Sequence, residues 1–252
     1  MLPDKSSRRQ ILKVPATAVL GMSILLAESP AEKGRLSVRL SKATEPLPAG
    51  LHSLGLRSAR DALLYIPESA ANFKQAPLIV SLHGAGRNSE RGIELLRSLS
   101  DQHGFLVLAP ASIAPTWDVI HASYGPDIAF LDQCLSRTFE LRDIDRKRIG
   151  LAGFSDGASY SLSVGLTNGD FFRAVLGFSP GFVVPGEFFG RPPIFISHGT
   201  IDPILPIDEC SRLIVPALKR SGYRVTYREF EGKHTLPPEV AAEAMRWFLQ
   251  FS

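Results

Sequence analysis

Ser155 stands between two glycines, in Gly153-Phe154-Ser155-Asp156-Gly157, where an apolar run at 148–152 gives way to a helical pattern at 156–166. A serine at so abrupt a strand-to-helix turn takes strained backbone angles. Side chains at the flanking positions would strike neighbouring backbone, so hydrogen is needed there. The turn lifts the hydroxyl above the sheet, beside the first amides of the helix, which can hold negative charge. A serine hydroxyl is a weak nucleophile at neutral pH. It needs a base beside it, and the base needs an acid to fix its tautomer. His234, in Glu231-Gly232-Lys233-His234, follows the strand-like run 223–230. Asp202, in His198-Gly199-Thr200-Ile201-Asp202-Pro203, follows the run 194–197, with Asp208 as the rival acid a little later. His52, His103, His121 and His198 fit the base less well, since they precede strands, lie in irregular sequence or precede the acid loop.

A second glycine-rich turn, Leu82-His83-Gly84-Ala85-Gly86, ends the run 78–82. Glycine there lets backbone N–H groups face a reacting oxygen. The oxyanion donors are assigned as the amides of Ala85 and Asp156, with Gly86 the rival for Ala85. Losing one such donor typically costs ~10²–10³ in kcat. His83 is expected to brace this loop rather than to act as a base.

The elements that must present these residues are legible as alternation. Strands are expected at 61–66, 78–82, 105–109, 148–152, 173–178, 194–197 and 223–230. Helices are expected at 89–101, 126–140, 156–166, 206–221 with a kink at Pro216, and 238–251 opened by Pro237-Pro238. Strands buried on both faces and alternating with helices imply the α/β class, with a mostly parallel central sheet and helices on both faces. In such sheets ligands meet the carboxyl ends of the strands, where all the residues above stand.

The glycine-flanked serine, the His83 turn, the Asp202 loop and the His234 loop together resemble the carboxylesterase/phospholipase branch of the α/β-hydrolases, over residues 60–251. That branch includes acyl-protein thioesterases and esterases similar to polyhydroxybutyrate depolymerases and feruloyl esterases. The resemblance implies a Ser155, Asp202, His234 triad in that chain order. It also implies hydrolysis of a carboxylic ester or thioester through an acyl-enzyme, with no metal and no cofactor. Many members of the fold insert a helical cap after the strand that ends here at Phe178. Only 179–193 stand in that place, so no large cap domain and an open cleft are expected. Gly86, Trp117, Tyr124 and Phe182 are the expected substrate contacts, with Asp118 beside them; Asp127 reads as a first-turn helix acid.

The 252 residues suffice for one α/β domain, and a composition of 44% apolar and 21% charged residues is that of a globular chain. The formal charge is +3, of which the first 30 residues carry +2, so the remainder offers no electrostatic case for nucleic acid. Ser7-Arg8-Arg9-Gln10-Ile11 followed by an apolar run from Val14 to Ala27 resembles a twin-arginine export signal. The run is short for a membrane span, and no stable membrane insertion is expected. The expected organisation is thus a signal at 1–30, a linker at 31–50 and a catalytic domain at 51–252, exported to the periplasm or medium. A cytoplasmic enzyme is the alternative if the first segment is not a signal. Cys134 and Cys210 have neither metal nor redox spacing and read as buried apolar residues. The expected partner is a small or polymeric ester. A serine peptidase on the same fold and a non-catalytic binding protein are the competing readings.

Overall fold

The structure is a computed structural model that describes residues 33–184 and 186–250. The export-signal segment lies outside the described residues. Eight strands form one sheet in the order β1-β2-β4-β3-β5-β6-β7-β8. These are β1 (Gly50–Ser53), β2 (Leu63–Ile66), β3 (Ala76–Leu82), β4 (Leu106–Ala109), β5 (Ile144–Phe154), β6 (Ala174–Phe178), β7 (Ile194–Gly199) and β8 (Val225–Phe230). The pairs β1–β2 and β2–β4 are antiparallel, and β4 through β8 run parallel.

Period-two alternation puts the strands' side chains into two separate cores. Leu78, Val80 and Leu82 of β3 enter one core, while Ile79 between them enters the other. The first core is covered by α2 (Pro126–Leu141) and α3 (Asp156–Thr167), and the second by α1 (Ser89–His103) and α5 (Pro238–Leu249). A third cluster seats Val215 and Leu218 of α4 (Ser211–Arg220) against Val175, Ile194 and Ile196. Helices therefore lie on both faces, as the alternation implied. The stretch 179–193 makes no helix among its described residues, so no helical cap is inserted at that position.

Among the strands and α-helices, three depart from expectation by more than two residues. β1 is a four-residue edge strand whose half-exposed pattern carries no strong apolar signal. β5 begins four residues early, because Ala76 and Ile144 pair ahead of a register shift. α4 begins at Ser211 rather than at 206: the residues before it form reverse turns, with Glu209 N–H bonded to Pro206 O and Cys210 N–H to Ile207 O. The stretch read as linker also packs on the body. Leu36 and Val38 are buried, and Arg35 makes paired bonds to Asp170.

Candidate active site

Ser155 occupies the turn between β5 and α3 at φ 58°, ψ −120°, a region that L-residues avoid. The neighbouring glycines explain how the chain reaches it. A Cβ on Gly153 would stand 2.1 Å from Gly157 O, and one on Gly157 would stand 2.3 Å from Leu82 O. Only hydrogen fits at either position. The Ser155 amide is bonded to Phe178 O at 2.8 Å, which ties the turn to β6.

The three residues singled out for chemistry meet at the carboxyl ends of β5, β7 and β8. Ser155 Oγ lies 2.8 Å from His234 Nε2, and His234 Nδ1 lies 2.6 Å from Asp202 Oδ2. The Asp202 carboxylate is closed off from solvent, whereas the His234 ring keeps 15% of its surface exposed. Asp202 Oδ1 accepts the amides of Ile204 and Leu205, each at 2.9 Å. Burial pushes the Asp202 carboxyl up, but those two amides and His234 outweigh it and hold it below the ordinary carboxylate value. Nδ1 facing an anion carries the ring proton, which leaves Nε2 free to accept from the serine hydroxyl. The rival acid Asp208 is exposed and paired with Arg212 at 2.8 Å, away from this network.

The loop after β3 is pinned from several sides. Trp117 Nε1 donates to His83 O at 2.9 Å, His83 Nδ1 to Gly84 O at 2.8 Å, and the Ser112 amide to His83 Nε2 at 3.0 Å. Burial moves the His83 imidazole down to about 4, so it stays neutral as a brace. The Gly86 amide donates to Pro115 O at 2.7 Å and is thereby committed. The Ala85 and Asp156 amides donate to no acceptor among the described residues.

The cleft beside Ser155 has a volume of about 840 Å³. It runs between α1 and the start of α5. Leu95, Leu99, Phe154, Leu236 and Ala241 give it apolar walls, and Arg87 and Arg91 stand among its polar residues. Of the expected substrate contacts, Trp117, Tyr124 and Phe182 do not line it. Trp117 is 1% exposed and stacks on Tyr160 at 4.8 Å. Tyr124 leans on Gly34 and bonds Thr167 Oγ1 at 3.0 Å. Phe182 packs on the first core, its amide near Ser159 Oγ. Gly86 is also absent from the wall. Asp118 is turned inward, where burial and the neighbouring Asp127 raise its carboxyl to about 6.

Two residues whose place in the site the sequence did not reveal stand beside the acid and beside the loop after β3. His198 is buried with Nδ1 2.6 Å from Ser211 Oγ and Nε2 2.8 Å from Leu205 O. Its Nε2 is also 3.3 Å from Asp202 Oδ2. The one available signal was its place at the end of β7, four residues ahead of the acid. Arg60, which ties Ser112 O to Arg87 O, gave no signal beyond its charge.

The profile of the phospholipase/carboxylesterase family matches residues 119–252. A bifunctional acetylxylan esterase/xylanase from Neocallimastix patriciarum is 29% identical over 59% of this chain and 22% of its own length. A probable feruloyl esterase C from Aspergillus terreus is 30% identical over 60% and 58%. An acyl-protein thioesterase from Gibberella zeae is 33% identical over 38% and 45%. The chain thus spans from about a fifth to under three fifths of the length of these relatives. Among solved structures, esterase PE8 matches 82% of this chain and 100% of its own at TM-score 0.61 and 21% identity. An S-formylglutathione hydrolase from Staphylococcus aureus matches 81% and 99% at TM-score 0.63 and 16% identity. Sheet order, helices on both faces and these likenesses agree on the α/β-hydrolase fold, and with more than half its residues matched, this chain belongs to the phospholipase/carboxylesterase family.

Proposed function

We propose that the chain is a serine esterase that hydrolyses carboxylic esters or thioesters through an acyl-enzyme. The observation that carries this reading is the unbroken line from Ser155 Oγ to His234 to Asp202, at 2.8 and 2.6 Å, with two uncommitted amides beside the serine. Ser155 attacks the acyl carbon as His234 Nε2 takes its proton. The amides of Ala85 and Asp156 hold the oxyanion. His234 then protonates the departing alcohol or thiol. Water, deprotonated by the same ring, attacks the ester of Ser155 and frees the acid. Asp202 stays ionised throughout and fixes the imidazole's tautomer.

The substrate lies along the cleft between α1 and α5, its apolar portion against Leu95, Leu99 and Leu236. The absence of a cap over 179–193 and the likeness to feruloyl and acetylxylan esterases support an acyl group carried on a larger body, such as a polysaccharide. Export through the Arg8-Arg9 segment accords with such a substrate. Replacing both arginines by lysine should leave the enzyme inside the cell, and unchanged secretion would refute the export reading.

The test is hydrolysis of p-nitrophenyl esters, acetyl through palmitoyl plus feruloyl, by wild type and Ser155→Ala. Activity confined to the wild type is expected, with a loss on the order of 10⁶-fold in kcat. Equal rates in both proteins would refute the esterase. Turnover of peptides but not esters would favour the peptidase, and a folded protein that takes up no fluorophosphonate would favour the binding protein.

A further inference from the structure

Asp202 serves two histidines. His234 meets its Oδ2 at 2.6 Å from the cleft side, and His198 Nε2 reaches the same oxygen at 3.3 Å from beneath. His198 has no exposed surface, and neither does Ser211. The tautomer of His198 follows from its neighbours. Nε2 faces a carbonyl and a carboxylate, Leu205 O and Asp202 Oδ2, both acceptors, so Nε2 carries hydrogen. Nδ1 then accepts from Ser211 Oγ–H at 2.6 Å. Burial keeps the ring on the neutral side. The groups around it are Asp202, His234 and Glu229, its register partner on β8, which is bonded to Arg212.

We propose that His198, pinned by Ser211, is a positioning residue for catalysis. Its Nε2–H donates to Leu205 O and lies 3.3 Å from Asp202 Oδ2, and so fixes the 202–205 loop and its carboxylate against His234. The line then runs Ser211, His198, Asp202, His234, Ser155, with hydrogen bonds at every joint but the 3.3 Å contact of His198 Nε2 with Asp202 Oδ2. The Nε2–H dipole beside Oδ2 also offsets part of the Asp202 charge. Without it the carboxylate presents more unshared charge to His234 Nδ1–H, which favours the imidazolium. The acid limb of the kcat/KM profile, which reports protonation of the free base, then moves to higher pH.

This inference rests on the triad reading, and its test separates the two. His198→Phe keeps the ring volume and removes both nitrogens, while His198→Gln keeps an N–H donor. Rates on p-nitrophenyl acetate are taken per fluorophosphonate-titrated site, so that misfolded protein does not count. Expected for His198→Phe is a kcat lower by about tenfold, the low end for a hydrogen bond to a charged group. KM should be unchanged and the acid limb displaced upward, with Gln restoring most of both. A kcat unchanged per site, or one lowered with the acid limb unmoved and no rescue by Gln, overturns the proposal. Should His198→Phe fail to fold, Ser211→Ala decides: it unpins the ring and should move the same limb in the same direction, and an unmoved limb is again fatal. Activity surviving in Ser155→Ala would instead bring down the triad, whatever His198 does.

Discussion

Asp202→Asn is the substitution on which the geometry makes its sharpest demand. An asparagine usually escapes a mismatch by flipping its amide. Here the flip is blocked. The Oδ1 position accepts two backbone amides, from Ile204 and Leu205 at 2.9 Å each, so the asparagine oxygen must stay there. Its NH₂ then replaces Oδ2, facing His234 Nδ1 and His198 Nε2. His234 Nδ1 is forced to accept, its proton moves to Nε2, and Nε2 can no longer take the proton of Ser155.

To regain the working tautomer the protein must leave about two buried donors unpaired, whichever way the amide is turned. Each costs roughly 1–3 kcal/mol, or about 2–6 in all. At about 1.4 kcal/mol per decade this is roughly a 30-fold to 10⁴-fold loss, and triads locked in the wrong tautomer stand near its upper end. The assay is kcat on p-nitrophenyl acetate per folded molecule, with thermal melting as the check on folding. Asp208→Asn is the control, because that carboxylate is spent on Arg212 at the surface, and it should retain wild-type kcat. A folded Asp202→Asn enzyme within tenfold of wild type would refute the tautomer argument. Loss in Asp208→Asn instead would shift the acid's role to the rival.

Gly157→Ala places a methyl 2.3 Å from Leu82 O and 2.4 Å from His83 O, so α3 must move off β3. It should lower stability by at least the ~1–3 kcal/mol typical of overpacking and lower kcat as the Asp156 amide shifts; an unchanged melting temperature would contradict the close approach. Leu95→Trp fills the cleft between α1 and α5 and should cut kcat/KM for long-chain or feruloyl esters more than for acetate; an unaltered chain-length profile would place the substrate elsewhere. Asp118 has its carboxyl raised from 3.8 to about 6, so the native state holds its proton longer than the unfolded chain and stability falls as pH rises through that window. At about 1.4 kcal/mol per pKa unit this reaches about 3 kcal/mol, reduced to ~1–2 by partial exposure. Asp118→Asn should therefore raise the melting temperature at pH 7.5 and leave it unchanged near pH 4, and equal effects at both would show that its charge is not the cause.

What the sequence made legible was what depends on local pattern. The alternation of apolar runs and helical faces gave the layers. The Gly153 and Gly157 requirement could be argued before any distance was known, because it concerns backbone crowding within five residues. Asp202 and His234 could be placed because each stands directly after a strand, and strand ends share one edge of the sheet. What it hid was direction. Trp117 follows a strand end and carries a polar handle, which suits a pocket wall equally well. Whether its indole faces substrate or His83 O depends on where β3 and α3 stand, and they take it inward. The cleft drew its walls from α1 and α5, whose lining residues looked like ordinary amphipathic positions. The role of His198 was hidden for the same reason: its partners Leu205 and Ser211 stand seven and thirteen residues on, one in the acid loop and one at the start of α4, and no local spacing links them to it.

The two uncommitted amides acquire their meaning from the committed ones around them. Ala85 is exposed and Asp156 buried, and around both the backbone bonds are numerous: Gly86 N–H to Pro115 O, Arg87 N–H to Gly84 O, Ser155 N–H to Phe178 O, and Trp117 N–H to Asp156 Oδ2. The first three fix peptide planes next to Ala85 or Asp156. The side chain of Asp156 thus holds the Trp117 backbone, the Trp117 indole holds the His83 turn, and that turn carries Ala85. One donor positions the loop that presents the other. The strain at Ser155 belongs to the same arrangement, since a positive φ persists only where the surroundings over-determine it. The tie to Phe178, the contact of Gly157 with Leu82 and the bonds from Ala158 and Ser159 N–H to Ser155 O supply that constraint. Under the proposed mechanism these bonds hold in place the two amides that would meet the oxygen of an arriving acyl group.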